Sequence, residues 1–161
     1  MPDFSINSPL KSGLTFSAWV WYIGTDALKE GEGVQYDSIN VAISAATVAD
    51  ARRTTRVKVC ASGGLFAGVC AADYPAQANG QLIQIYLPGS TCMVLTYNIT
   101  TVLAANTQMT CSCDATQPGT FKLVSATGKG GAYALQTITG TAAFQKVLAL
   151  LETGPVQALT A

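Results

Sequence analysis

Histidine is absent from this 161-residue chain. No imidazole can therefore serve as an acid or base, and Ser–His and Cys–His nucleophiles are excluded. Charge is scarce as well, at 11% of residues, and none occurs between Tyr74 and Cys113. Nine basic and nine acidic side chains cancel, and the isoelectric point of about 6.1 gives no global pull toward nucleic acid or an anionic membrane. No apolar run reaches the roughly 18 residues that would span a bilayer. The start, Met1-Pro2-Asp3-Phe4, lacks a basic segment followed by an apolar one, so synthesis in a cytoplasm without a secretory signal is expected. What remains is a chain that is 49% hydrophobic with little ionic cover for its surface. Burial against other copies or a large partner is the simplest way to cover it. The composition reads as that of a building block.

The cysteines and acids add no chemistry. Cys60, Cys70, Cys92, Cys111 and Cys113 are odd in number and form no C-x-x-C pair. Cys111 and Cys113 would share one strand face, but two thiols without histidine do not complete a structural zinc site. Reduced, buried thiols are expected. Among the acids only Asp26, Glu30 and Glu32 cluster, beside Lys29 in a glycine-containing turn where charges are normally hydrated. Two carboxylates facing across a cleft are the one hydrolytic route left open. Gly128-Lys129-Gly130-Gly131 lacks the first glycine and the hydroxyl residue of a phosphate loop, and Ala61-Ser62-Gly63-Gly64 is not a nucleophile elbow. Asn98-Ile99-Thr100 fits a glycosylation acceptor without an export signal to support it. No catalytic residue, metal or cofactor is expected.

The periodicity is that of strands. Trp19, Trp21 and Ile23 alternate with Val20 and Tyr22; Thr55, Val57 and Val59 alternate with Arg56, Lys58 and Cys60. Ile83, Ile85 and Leu87 alternate with Gln84 and Tyr86, and Met93 to Ile99 alternates likewise. Lys146 to Leu151 is apolar on both faces, as for a strand covered on two sides. Asn79-Gly80, Pro88-Gly89, Pro118-Gly119 and Gly154-Pro155 punctuate these runs. A mainly β fold follows, a small barrel or sandwich of short antiparallel strands. Only Val41 to Arg53, rich in alanine, offers a short helix.

Residues 1–13 read as an extended arm, with Pro2 and Pro9 against regular structure and Phe4 among its apolar anchors. Residues 14–161 form a single β-rich domain with a candidate internal repeat, 31–89 and 106–155. Phe66–Ala71 leading into Leu82–Gly89 has a counterpart in Gly131–Leu135 leading into Val147–Leu151 and Pro155. Gly33–Asp37 and Asn106–Cys111 would be matching opening strands. Two merged β modules account for this pattern, and chance likeness among hairpins is the competing account.

Two groups of side chains are candidates for binding a partner. Arg52, Arg53, Arg56 and Lys58 form the basic concentration, either a solvated strand face or a docking patch for an acidic surface. Trp19 and Trp21 share a strand face, where they would pack, anchor an interface or stack on a sugar ring. Tyr86, in the charge-free tract, and Phe4 of the arm extend the apolar set.

Phe66-Ala67-Gly68-Val69-Cys70-Ala71 through Ile83-Gln84-Ile85-Tyr86-Leu87-Pro88-Gly89 resembles the ending of tailed-phage capsid decoration, or cement, proteins. Gly131–Leu135 followed by Val147–Leu151 resembles it again, and the likeness covers about half the chain. The resemblance implies a β-rich virion protein, a homotrimer on the exterior of the head that cements neighbouring major capsid protein subunits and has no catalytic residues. A carbohydrate- or receptor-binding β module, or a pilus or surface-layer subunit, are the alternatives.

Overall fold

The structure, a computed structural model, describes residues 15–37, 56–60, 65–97, 99, 103–111, 117–123, 131–139 and 142–152. The proposed arm with Phe4, the helical candidate Val41–Arg53, and with it Arg52 and Arg53, lie outside them. Every regular element among the described residues is a strand.

The first five strands are β1 (Ser17–Tyr22), β2 (Gly33–Tyr36), β3 (Arg56–Val59), β4 (Phe66–Cys70) and β5 (Gln81–Tyr86). They close into a barrel in the order β1-β3-β2-β4-β5. The next five are β6 (Thr91–Tyr97), β7 (Gln108–Cys111), β8 (Phe121–Leu123), β9 (Ala132–Ala134) and β10 (Phe144–Leu151). They close a second barrel, β10-β6-β8-β7-β9. Among the described residues closure gives every strand two neighbours, which suits a chain with few charges to guard a free edge. The expected mainly β barrel is therefore what forms, with one departure. β1 pairs β3 and β6 pairs β8 in parallel, whereas the other neighbours are antiparallel.

The two barrels match strand for strand and in register. Tyr22 faces Val57 and Gln81 in the first as Thr96 faces Phe121 and Gln145 in the second. Val34 faces Val59 and Gly68 as Met109 faces Leu123 and Ala132. Even the isolated bridge Leu28–Tyr74 has its counterpart in Leu103–Ile138. The corresponding stretches begin before residues 31 and 106, because β1 and β6 are counterparts too.

Side chains alternate inward along each strand, as a small barrel filled by its own residues requires. Val20, Tyr22, Val57, Ile83 and Ile85 fill the first barrel. Val94, Met109, Phe121, Val147 and Leu151 fill the second, and Cys60 and Val69 from the first barrel join that cluster. The two barrels thus share a joint. Phe66 meets Phe121 edge-on across it, with ring centroids 6.2 Å apart at 89°, and Cys60 and Cys111 bring their sulfurs to 3.2 Å. Leu87-Pro88-Gly89-Ser90 turns the chain from one barrel to the other, with Gly89 at φ 91° and a Ser90 N–H to Leu87 carbonyl bond of 3.1 Å.

Truncating Phe121 to alanine should cost about 3–5 kcal/mol, because the ring is fully buried and tied to both barrels. A urea midpoint unchanged from the parent protein would contradict this account of the joint.

Candidate interaction surface

On β1 the inward positions are Ala18, Val20 and Tyr22, so Trp19 and Trp21 point outward, 59% and 43% exposed. β5 lies alongside with the same parity. Trp21 is in register with Leu82, itself 54% exposed, and Trp19 with Gln84. Trp19, Trp21 and Leu82 therefore form one apolar patch on the outer wall of the first barrel. The tryptophans are legible in the sequence as a same-face pair; Leu82 is not, because only the β1–β5 register brings it beside them.

The basic candidates are less free than their spacing suggests. Arg56 and Lys58 do share a face of β3, but both are half-buried. Lys58 Nζ lies 3.5 Å from the buried carboxylate of Asp37, across the β2–β3 ladder. Tyr86 is not on the open wall. It packs against the core of the second barrel, where burial pushes its phenol above the ordinary range. The acidic turn is part of the joint as well. Glu30 pairs with Lys146 on β10, and Glu32 accepts the Lys29 N–H at 2.8 Å. Burial raises the Glu32 carboxyl, against the lowering effect of that bond and of the Lys29 charge.

Among the described residues no three His, Cys, Asp or Glu side chains gather as metal ligands. What the described surface offers is contact area, with apolar patches over a rigid, closed frame.

No protein-family model and no curated protein matches the chain. Among solved structures, it is similar in fold to the N base of the head fiber protein gp8.5 of bacteriophage phi29. The two share 12% sequence identity with a TM-score of 0.53, over 89% of this chain and 99% of that one. The two-barrel architecture is thus one that a phage head fiber base also uses.

Proposed function

We propose that this chain is a structural protein of a phage head. On this reading it sits on the exterior of the virion, made in the host cytoplasm, and binds the major capsid protein as a homo-oligomer, a trimer by preference, so that it cements neighbouring subunits. The observation that carries the reading is the likeness to a head fiber base over nearly the whole of both chains. The apolar outer wall supports it, and so does a composition that calls for covering by other chains. The protein acts by binding alone, without catalysis or cofactor. The two halves are copies of one module, which accounts for their shared strand order and register.

Arg56 and Lys58, with Arg52, Arg53 and Phe4 outside the described residues, are the candidates for touching the head. Exposed ion pairs contribute only about 0.2–1 kcal/mol each and are screened by salt. These cations would therefore steer attachment more than hold it. Purified protein added to heads that lack it should co-sediment with them to saturation and raise their resistance to heating. Arg56→Gln, which leaves the Lys58–Asp37 pair in place, should slow attachment, with circular dichroism used to confirm that the chain is folded. Heads that neither bind the protein nor gain stability would overturn the proposal.

A further inference from the structure

Within one chain, the turn that follows β1 is seated on the outer wall of the second barrel. Leu95, an outward residue of β6, is only 5% exposed, and Gly31 of this turn lies directly against its backbone. Its N–H donates to the Gly31 carbonyl at 2.8 Å, and the Gly33 N–H reaches the Gly119 carbonyl at 2.7 Å. Two charged contacts complete the seat: the Glu30–Lys146 pair, and Lys29 Nζ 4.7 Å from the centre of the Phe144 ring.

Each half of that contact has a counterpart in the other barrel. The Gly31 N–H bonds the Cys70 carbonyl at 3.0 Å as the Asn106 N–H bonds Ala134 at 2.7 Å. Glu32 N–H to Lys29 is matched by Thr107 N–H to Ala104. Gly31 and Asn106 both take positive φ, 93° and 66°. Ala104 and Ala105 thus stand where Lys29 and Glu30 stand in the first barrel. On the wall, Trp21 and Leu82 face each other as Leu95 and Lys146 do.

Both counterparts are open on this chain. Gly31 is buried whereas Asn106 is exposed, and Leu95 is covered whereas Trp21 is not. Their chemistry also changes together. Where the occupied contact pairs Glu30 with Lys146, the two open halves carry Ala105 and Leu82. Both sides lack the charge that the occupied contact carries, and both are exposed. Leu135 and Leu150 add exposed apolar area on the second barrel.

We propose that a second copy of this chain seats its 103–107 turn on the Trp19–Trp21–Leu82 wall, repeating between chains the joint that links the two barrels within one. The contact is head-to-tail, so it closes into a ring or continues as a filament. It rests on side chains, because Trp21 is already paired to Arg56 of β3 whereas the β6–β8 pairing begins only beyond Leu95, at Thr96. It deepens the oligomer part of the proposed function, and it is tested without heads, so its failure leaves attachment to a capsid to be judged separately.

The test copies the occupied contact onto the open one. Leu82→Lys and Ala105→Glu, both at exposed positions, should each weaken self-association by about tenfold or more, driving the mass in light scattering toward 16.7 kDa. Combined in one chain they should restore association, since the new pair reproduces Lys146 and Glu30. In a Cys113→Ser background, Leu82→Cys and Ala105→Cys chains should be joined by a short bis-maleimide when mixed, and neither should be joined when alone. Three results overturn the inference: a parent protein that stays monomeric at high micromolar concentration, single variants that associate like the parent, or cross-linking of Leu82→Cys alone, which marks a face-to-face contact. A monomer whose tryptophan emission responds to soluble glycans would assign the wall to sugar instead.

Discussion

Gly31→Ala is expected to lower the thermal midpoint by roughly 10 °C. At φ 93° an alanine is strained, and its Cβ would lie 2.6 Å from the Leu95 nitrogen and 3.0 Å from the Val94 carbonyl carbon. Neither neighbour can yield, since both belong to the β6 backbone. The turn must lift, breaking the 2.8 Å bond to Leu95 and uncovering that side chain. Strain, lost bond and exposed leucine together come to about 3 kcal/mol. Asn106→Ala supplies the control, because Asn106 has the same sign of φ but lies on an exposed turn. Measured at a concentration that disfavours association, it should cost about 1 kcal/mol. If the two substitutions shift the midpoint equally, the barrels are not held together by this turn.

That turn also marks how far the sequence can be read. Period-two alternation locates β1, β3, β5 and β6, an apolar run locates β10, and the Pro-Gly pairs at 88–89 and 118–119 fall at turns. Alternation does not say which face is the core when the outer face is covered by another barrel. Leu95 and Val94 are both buried, one under the joint and one inside the barrel, so β6 reads as two-sided. β10 errs the other way. Its apolar run predicts cover on both faces, yet Leu150 is 39% exposed. The parallel pairings have no local signal at all, since β2 lies between β1 and β3 in the chain and β7 between β6 and β8.

The candidate surface is legible in the same partial way. Trp19 and Trp21 are found by spacing, and Arg56 and Lys58 by charge. The partner of Lys58 is Asp37, brought close only by the β2–β3 register. The likeness between the halves is carried by register and hydrogen bonding more than by residue type: Trp21 corresponds to Leu95 and Lys29 to Ala104. A comparison of residues alone therefore sees it faintly.

Alkali should unfold this protein steeply. Cys70 and Cys92 are fully enclosed, and burial pushes their thiols from 9.0 up to about 12, with smaller contributions from Glu32 and Asp73 on Cys70 and from Glu30 on Cys92. Tyr22 is likewise pushed from 10.0 to about 12, chiefly by burial and then by the charges of Asp26, Cys70 and Glu32. Each group keeps its proton in the folded chain at a pH where the unfolded chain has released it. Stability is therefore full below about pH 9, where unfolded thiols begin to ionise, and falls as pH rises toward 12. A group in this condition adds a slope of about 1.4 kcal/mol per pH unit. By pH 12 the three together remove an amount comparable to a domain's whole stability of about 5–15 kcal/mol. The Tyr22 hydroxyl has no hydrogen-bond partner among the described residues, so Tyr22→Phe should leave stability at pH 7 unchanged or raise it by about 1 kcal/mol. The same substitution should move the alkaline midpoint upward, because one of the three groups no longer titrates. Circular dichroism against pH, with tyrosinate absorbance followed in parallel, reads both effects. An alkaline midpoint identical in the parent and in Tyr22→Phe would show that the phenol does not couple ionisation to unfolding.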